Sequence, residues 1–237
     1  MTEIENGDTK TNGSEKAPGS QTLARGLSVI QAIAENPSGL TAGEVAALVG
    51  IHRTVVYRLL TTFEQFHYVA RSEGGRFRPA SGLAVLGSSY DNGVRDMSIP
   101  ILRQLAEDLR ATTTLLVAEG DEQVSIAVVV PAGENYQFWF REGSRLPIEK
   151  ASGGIALLAG YPPKPGEREV VTRTRELGWV ITHGEVEPNM YGLAAPVYRP
   201  YPSPRLCINV ITHRQEIANN GITAIVAAAQ RLAEALR

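Results

Sequence analysis

Apolar residues recur at steps of three and four through the first part of the chain, which is the spacing of amphipathic helices. Pro37, Gly39 and Gly50 interrupt this pattern and divide it into three predicted helices. Thr22 is the predicted N-cap of the first helix, because its hydroxyl can accept a hydrogen bond from a free backbone N–H group. The positions of the first helix that are expected to face a core are Leu23, Leu27, Ile30 and Ala34.

The second predicted helix is short, and Gly50 separates it from the third. Thr41 precedes the second helix and Glu44 follows three residues later, which is the spacing of a capping box. The third helix is expected to run from about His52 to Phe66. The residues expected to be buried are Val45 and Leu48 in the second helix and Val55, Leu59, Leu60 and Phe63 in the third.

Beyond the third helix the pattern changes to that of a β-hairpin. "YVARS" and "RFRP" favour two strands joined by "EGG", where Gly74 and Gly75 supply the backbone conformations of a tight turn. Three helices followed by a hairpin predict a winged helix-turn-helix domain over residues 21–80. "SGLAVLGSSYDNG" predicts a connecting helix bounded by Gly93, so residues 81–97 are assigned to a linker that also dimerises.

Residues 98–237 alternate between helical and extended patterns. Helices are expected over "SIPILRQLAEDLRAT", from near Ala151–Gly154, over "GEREVVTRTRELG" up to a C-cap at Gly178, and through the Ala-rich C-terminal segment. Strands are expected over "TTLLVAEG", "QVSIAVVVP", "NYQFWFREG", "WVITHG", "GLAAPVYRP" and "RLCINVITH". The pattern predicts an α+β domain with a mostly antiparallel sheet flanked by helices.

Composition is that of an ordinary globular protein, with 43% apolar and 20% charged residues and a net charge of −2. Positive charge is concentrated in residues 50–80, where five arginines stand against two glutamates, a net of +3. Residues 1–20 are polar, and their composition predicts a disordered tail. They lack the apolar segment of a secretory signal. Apolar runs fall short of the roughly 20 residues of a membrane helix, so the expected location is the cytoplasm.

The third helix carries "HRTVVYRLL", in which polar residues face away from the apolar stripe. In a helix-turn-helix the second helix of the motif enters the major groove, where arginine binds guanine or phosphate. The two wing arginines beside the glycine turn could lie against flanking phosphates. The alternative is a solvated amphipathic helix. The basic helix, the preceding helix and the basic hairpin together favour double-stranded promoter DNA as a partner.

Residues 21–80 resemble the DNA-binding domain of the IclR family of bacterial transcription regulators. The matching segments are "TLARGLSVIQAI", "GLTAGEVAALVGIHRTVVYRLLTTFEQFHYV" and "GRFRP". The family usually has a small hydroxyl residue at Thr54 and a basic residue at Arg58, and it uses an arginine at Arg25 near the DNA backbone. The DNA-binding candidates are Arg25, Thr41, Arg53, Thr54, Tyr57, Arg58, Arg76 and Arg78.

The resemblance continues through "REGSRLPIEKASGGIALLAG", "RELGWVITHGEVEPNMYGLAAPVYRP" and "LCINVI", and it implies a GAF-like effector domain. Three features depart from the family: Gly154-Ile155 replaces a usual Gly-Lys pair, Asn189 replaces a usual glycine, and the connection after Gly160 is short. Strand periodicity independently places Cys207, Asn209 and Ile211 on one face. The effector-binding candidates are Ser152, Gly153, Thr182, Met190, Gly192, Cys207, Asn209 and Trp139.

The N–H groups at the start of the 151–159 helix favour a carboxylate, so the expected effector is a small organic acid. Trp139 lies in "YQFWF", whose aromatic residues either stack on a ligand ring or are covered by a partner subunit. Aromatic acids are common effectors in the family, which favours one such as 4-hydroxybenzoate or protocatechuate over a glyoxylate- or pyruvate-like molecule. Asn209 and Thr182 could instead form plain structural hydrogen bonds, and Cys207 could simply fill the core.

Two other functional classes are alternatives to a DNA-binding regulator: an enzyme and a pure ligand-binding module. The four histidines lack metal-ligand spacing, and the chain contains neither a G-x-S-x-G elbow nor a Walker lysine, so no metal or cofactor is expected. A pure binding module would leave the basic helix and wing without a role. The sequence therefore predicts a ligand-responsive regulator of a catabolic operon that acts as a homodimer or a dimer of dimers.

Overall fold

The computed structural model describes residues 19–88, 92–132, 141–200 and 203–237. They divide into two units, Met1–Tyr90 and Asp91–Arg237. The predicted disordered tail and the "YQFWF" segment with Trp139 lie outside the described residues, apart from the last two residues of the tail. No described helix combines the length and apolar character that crossing a membrane requires.

The first unit contains the predicted three helices and hairpin, followed by a fourth helix. Its elements are α1 (Gln21–Ala34), α2 (Ala42–Val49), α3 (Arg53–Gln65), β1 (Val69–Arg71), β2 (Phe77–Pro79) and α4 (Ser81–Ser88). Strands β1 and β2 pair antiparallel, and Phe77 also bridges to Leu40 before α2. The wing is thereby joined to the helical core, which confirms the predicted winged helix-turn-helix fold.

The buried face of α1 differs from the predicted one. Leu23 and Leu27 are 63% and 52% exposed, whereas the buried residues are Gly26, Val29 and Ile33. The predicted face was wrong because the chain buries the neighbouring stripe of the helix, which packs on α2 and α3. The N-cap also differs: it is Ser20, whose hydroxyl accepts a hydrogen bond from the Leu23 N–H group.

The cores of α2 and α3 follow the sequence pattern only in part. Val45 is buried as predicted, but Leu48 is 62% exposed. In α3 the fully buried residues are Val56 and Leu60, and the remaining predicted core residues are only partly buried beside them. The buried stripe therefore lies one residue further along α3 than the pattern indicated.

Residues 81–97, predicted as a linker helix, include two described helices. Helix α4 ends at Ser88 and α5 (Asn92–Leu109) begins four positions later, with residues 89–91 outside the described ranges. Gly93 lies in the first turn of α5, close to the division between the two units after Tyr90, and Val94 beside it belongs to the core of the second unit. The burial of Val94 explains why this part of the expected linker is helical and continuous with the following domain.

The second unit contains a six-stranded sheet of order β5-β4-β3-β8-β7-β6, and all of its pairs are antiparallel. Its strands are β3 (Thr112–Glu119), β4 (Glu122–Val129), β5 (Arg145–Pro147), β6 (Val180–His183), β7 (Tyr191–Val197) and β8 (Leu206–Thr212). Its helices after α5 are α6 (Ala151–Ala159), α7 (Glu169–Leu177), α8 (Gln215–Asn220) and α9 (Ile222–Ala235). The C-terminal segment, predicted as one helix, is divided at Gly221.

Helices cover both faces of this sheet, and the two faces have separate cores. Strand β8 shows the division, since all seven of its residues are buried. Leu206, Ile208 and Val210 pack in the core with α5 and α9, whereas Cys207 packs in the core with α6 and α7. The alternation predicted for β8 is confirmed, and it directs Asn209 toward α6.

Candidate functional site

The helix-turn-helix surface is fixed by a set of local caps. The Thr41 hydroxyl accepts from the Glu44 N–H at 3.3 Å, and the Glu44 carboxylate accepts from the Thr41 N–H at 2.7 Å, which completes the predicted capping box. Gly50 ends α2 at φ 70°, a left-handed conformation that most side chains disfavour. The imidazole of His52 then caps α3 by accepting from the Thr54 N–H at 3.3 Å. These caps set where α3 begins.

The outer face of α3 presents the four polar residues that the sequence singled out. Arg53, Thr54, Tyr57 and Arg58 are all exposed. The Arg53 guanidinium donates to the Tyr57 hydroxyl at 3.3 Å and lies 5.5 Å from the ring centroid, and this hydrogen bond lowers the pKa of Tyr57. Across the described ranges, no hydrogen bond or ion pair engages the Arg58 guanidinium. This face therefore combines the Arg58 guanidinium, which has no internal partner among the described residues, with the hydroxyl groups of Thr54 and Tyr57.

The wing arginines have internal partners that the sequence did not indicate. Arg76 forms two hydrogen bonds with the Glu44 carboxylate, at 3.0 and 3.1 Å, and a third with the Gly39 carbonyl at 2.8 Å. Arg78 donates to the Ser38 carbonyl at 3.2 Å. Both side chains therefore tie the wing to the segment before α2. Phosphate contact by these two arginines stays a prediction, as it does for exposed Arg25 and half-exposed Thr41.

A cavity of about 330 Å³ lies in the second unit between the sheet, the start of α6 and the loop 184–190. Six of the predicted effector-binding residues meet at this cavity. They are Ser152, Gly153, Thr182, Met190, Gly192 and Asn209. The structure brings these six residues around one space, and their contact with an effector stays a prediction.

Cys207 is the exception among the described candidates, because it does not line the cavity. It is fully buried behind α6, where its thiol contacts the Gly153 carbonyl at 3.3 Å, and burial raises the pKa of the thiol. Its assignment to the effector site is therefore corrected to a core position. Trp139 lies outside the described residues.

A polar network joins α6 to the sheet at the cavity wall. The Ser152 hydroxyl donates to the Asn209 side-chain oxygen at 2.9 Å, and the Ser152 N–H donates to the Thr182 hydroxyl at 3.1 Å. A Cβ atom at Gly192 would overlap the Ser152 hydroxyl, so this position in β7 requires glycine. The first turn of α6 is held rigidly against β6, β7 and β8.

Several cavity residues escaped the sequence reasoning. Thr114 is fully buried, and its hydroxyl has no hydrogen-bond partner. Gln123 donates to the carbonyls of Pro147 and Lys150 at 3.0 and 2.7 Å, which positions the chain before α6. Asn209 stands alone as a polar residue in an apolar strand, which is a signal for a polar site. Thr114 has two threonines directly before it in β3, so the sequence offers no comparable signal for it.

Charged groups lie at the mouth of the cavity. Glu185 accepts a hydrogen bond from the Ala151 N–H at 2.8 Å. Arg145 is paired with Glu119 and Glu122, at 2.7 and 2.9 Å, and these hydrogen bonds raise the pKa of its guanidinium. In the part of the chain that the structure describes, no group of three His, Cys, Asp or Glu side chains is placed to hold a metal ion.

Comparison with known proteins supports this division into a DNA-binding fold and a cavity-bearing fold. Residues 22–73 match the IclR helix-turn-helix domain. The chain is 30% identical over 169 residues to the HTH-type transcriptional regulator TtgV of Pseudomonas putida, a match that covers 69% of this chain and 65% of TtgV. It is 26% identical over 244 residues to the Pca regulon regulatory protein of Pseudomonas putida, covering 91% of this chain and 84% of that protein. The chain thus spans less than two thirds of the length of TtgV.

Solved structures show the same fold over both units. An IclR homologue from Microbacterium hydrocarbonoxydans, crystallised with 4-hydroxybenzoate, superposes with a TM-score of 0.71 at 20% identity. The superposition covers 92% of this chain and 99% of that one. At this identity the likeness establishes the fold, and the ligand is a property of that homologue.

Proposed function

Because the chain belongs to the IclR family of helix-turn-helix regulators, we propose that it is a ligand-responsive transcription regulator. The observation that carries the proposal is the exposed polar face of a capped α3 in one unit, together with a polar-lined cavity in the other. The curated relatives are named as transcription regulators and repressors, not as enzymes.

Helix α3 is the proposed reading element for double-stranded promoter DNA. In a helix-turn-helix the N-terminal half of the second motif helix meets the base edges. Arg53, Thr54, Tyr57 and Arg58 occupy that half of α3, and all four are exposed. Arg58 has an unengaged guanidinium, which suits bidentate contact with guanine or with phosphate.

We also propose that the chain dimerises through residues 81–97, since a palindromic DNA site requires two reading helices. Val85 and Leu86 of α4 are 68% and 54% exposed, and Leu23 and Leu27 of α1 are also exposed. Apolar surface of this kind supports an interface between copies of the chain. A homodimer, or a dimer of dimers, would place two copies of α3 on successive half-sites.

A small aromatic acid such as 4-hydroxybenzoate is the proposed effector. A volume of about 330 Å³ accommodates a single ring. Leu116, Val186, Met190 and Ile211 supply apolar wall, and Asn209 supplies a buried amide. Two relatives point the same way by name: the Pca regulon regulatory protein and the homologue crystallised with 4-hydroxybenzoate. A small aliphatic acid is the second candidate, favoured by the relative named as an acetate operon repressor.

Effector binding would alter operator affinity by preferring one arrangement of the two reading helices over another. The test is a gel shift with the DNA upstream of the protein's own gene, repeated with a panel of aromatic and aliphatic acids. A shift that one class of acid changes supports a regulator of a nearby catabolic operon. Binding of an acid without any DNA shift would favour a pure ligand-binding module, and turnover of the acid would favour an enzyme.

A further inference from the structure

The N-terminus of α6 is already occupied by a carboxylate of the chain itself. The Ala151 N–H donates to Glu185 at 2.8 Å, and the Ser152 N–H donates to the Thr182 hydroxyl. Free N–H groups at a helix start are where an anionic ligand binds most readily. In this chain the outermost of them holds Glu185, which is exposed at the cavity mouth.

The cavity behind this contact contains a polar group that a ligand could bind. The Thr114 side chain is fully buried on the cavity wall, and its hydroxyl lacks a hydrogen-bond partner. A buried hydroxyl without a partner costs free energy, which a ligand group could offset. Thr114 lies in β3 opposite Asn209 of β8, so the two polar groups stand side by side beneath α6.

The charges around the cavity disfavour an additional anion. Glu185 and Glu187 both line it, and its one lining cation among the described residues, Arg145, is engaged by Glu119 and Glu122. An acid that enters while Glu185 stays in place would find the outer helix N–H occupied and no unengaged cation beside it. An uncharged ligand of the same shape would not meet this obstacle.

We propose that Glu185 is the residue that sets the charge of the ligand this cavity accepts. Its carboxylate competes with the carboxylate of an acid for the N-terminus of α6, so an acid binds only by displacing it. Glu185 therefore weakens binding of acids relative to their neutral analogues. For the aromatic acid this inference rests on the proposed effector function, whereas the competition itself concerns any carboxylate.

The experiment uses matched ligands and matched variants of the full chain. Calorimetric titration compares 4-hydroxybenzoate with 4-hydroxybenzamide, which differ in charge but not in shape. Glu185→Ala frees the Ala151 N–H, and Glu185→Gln removes the charge but keeps an acceptor. Glu187→Ala is the control, because Glu187 lines the same cavity from the same loop without bonding α6.

Glu185→Ala is expected to tighten 4-hydroxybenzoate by about three- to tenfold and leave 4-hydroxybenzamide within about twofold, as removal of a helix-terminal anion implies. Glu185→Gln should fall between Glu185→Ala and the wild type, and Glu187→Ala should change the ratio of the two affinities much less. The proposal would be overturned if Glu185→Ala and Glu187→Ala changed the ratio of the two affinities equally. The cause would then be the overall negative charge at the cavity and not the hydrogen bond of Glu185 to the Ala151 N–H.

Acetate separates this inference from the effector assignment, because it carries the carboxylate without a ring. Rising acetate concentration should raise the thermal midpoint of Glu185→Ala more than that of the wild type. If this holds and no aromatic ligand binds any variant, the competition stands and the aromatic effector is wrong. If acetate acts equally on both proteins, the competition is wrong, whichever effector binds.

Discussion

Arg76 of the wing forms two hydrogen bonds with the carboxylate of Glu44, the residue that completes the capping box of α2. One carboxylate thus serves the start of α2 and the position of the hairpin. Hydrogen bonds from the Thr41 backbone and hydroxyl, followed by those from Arg76, lower the pKa of Glu44. The wing and the helix-turn-helix are coupled through this pair.

Arg76→Ala should loosen the wing without affecting α3. We expect faster amide hydrogen exchange in β1 and β2, because the contact that joins them to α2 is lost. The urea midpoint should fall less than in Thr41→Ala, whose missing cap costs about 1 kcal/mol. Unchanged exchange together with weaker DNA binding would show that Arg76 contacts phosphate directly.

Arg58→Ala should weaken specific operator binding and leave effector binding intact. Loss of a contact to a base edge or to phosphate costs about 1–3 kcal/mol, which corresponds to about a 5- to 150-fold loss of affinity. Fluorescence anisotropy with labelled operator measures this change. Arg173→Ala is a matched control, because Arg173 is an exposed arginine on α7 of the other unit. Equal loss of effector binding in Arg58→Ala would contradict separate roles for the two units.

Asn209→Leu should blunt the effector response and spare DNA binding. The substitution removes the acceptor for the Ser152 hydroxyl at the cavity wall. The effector concentration that gives half of the maximal change in DNA binding in a gel shift should rise about tenfold, as expected for a buried polar group left unpaired. Ile208→Val, on the opposite face of β8, should lower stability by about 1 kcal/mol and leave the response unchanged. An unaltered dose curve in Asn209→Leu would mean that the effector binds elsewhere.

Glu167 should contribute to stability in a pH-dependent way. Two hydrogen bonds from Arg175, with a third from Thr172, lower the pKa of the Glu167 carboxyl from 4.5 to about 2. Because the pKa is lower in the folded state, the stabilisation is present above pH 4.5 and is lost as the pH falls toward about 2. Between these pH values, the free energy of unfolding measured in urea should decrease less steeply with falling pH in Glu167→Gln than in the wild type. A stability that falls with pH as steeply in Glu167→Gln as in the wild type would contradict this role of Glu167.

Ala151→Gly should stabilise the second unit. Ala151 has a φ of 56°, in the left-handed region that costs a residue with a Cβ about 1–2 kcal/mol. Glycine removes that cost but gains freedom in the unfolded chain, so the net gain is up to about 1 kcal/mol. Ala156→Gly, inside the same helix, should instead lose about 1 kcal/mol. A thermal midpoint that falls in both variants would contradict the left-handed conformation at Ala151.

Local signals in the sequence predicted much of the fold, and the misses share a cause. The capping box at Thr41, the helix end at Gly178 and the alternation of β8 depend on neighbouring residues alone, and all three are present. The buried stripe of α1 was misplaced because several stripes of a short helix are apolar, and only contact with α2 and α3 selects one. The hydrophobic pattern alone does not indicate that Val29 is buried and Leu23 exposed.

The cavity shows the same division between local and long-range information. The family resemblance indicated Asn209 and its place in an apolar strand supported it, but its partner Ser152 lies 57 positions away in the chain. The roles of Arg76 and Glu185 were not foreseen, since each depends on a contact with a residue more than 30 positions distant. Cys207 was assigned to the pocket from the family resemblance, with its position on the same strand face as Asn209 as support, yet it is fully buried behind α6.

By itself, the sequence determined most of the element order, the winged helix-turn-helix, the α+β second domain and the exposed polar face of α3. Caps, turns and hydrophobic periodicity act over a few residues, so these features can be read along the chain. Tertiary structure alone decided which helix stripe is buried, which arginine is engaged by a carboxylate and which N–H group Glu185 occupies. Those outcomes depend on packing and charge pairing between distant segments, whose distances exist only once the chain has folded.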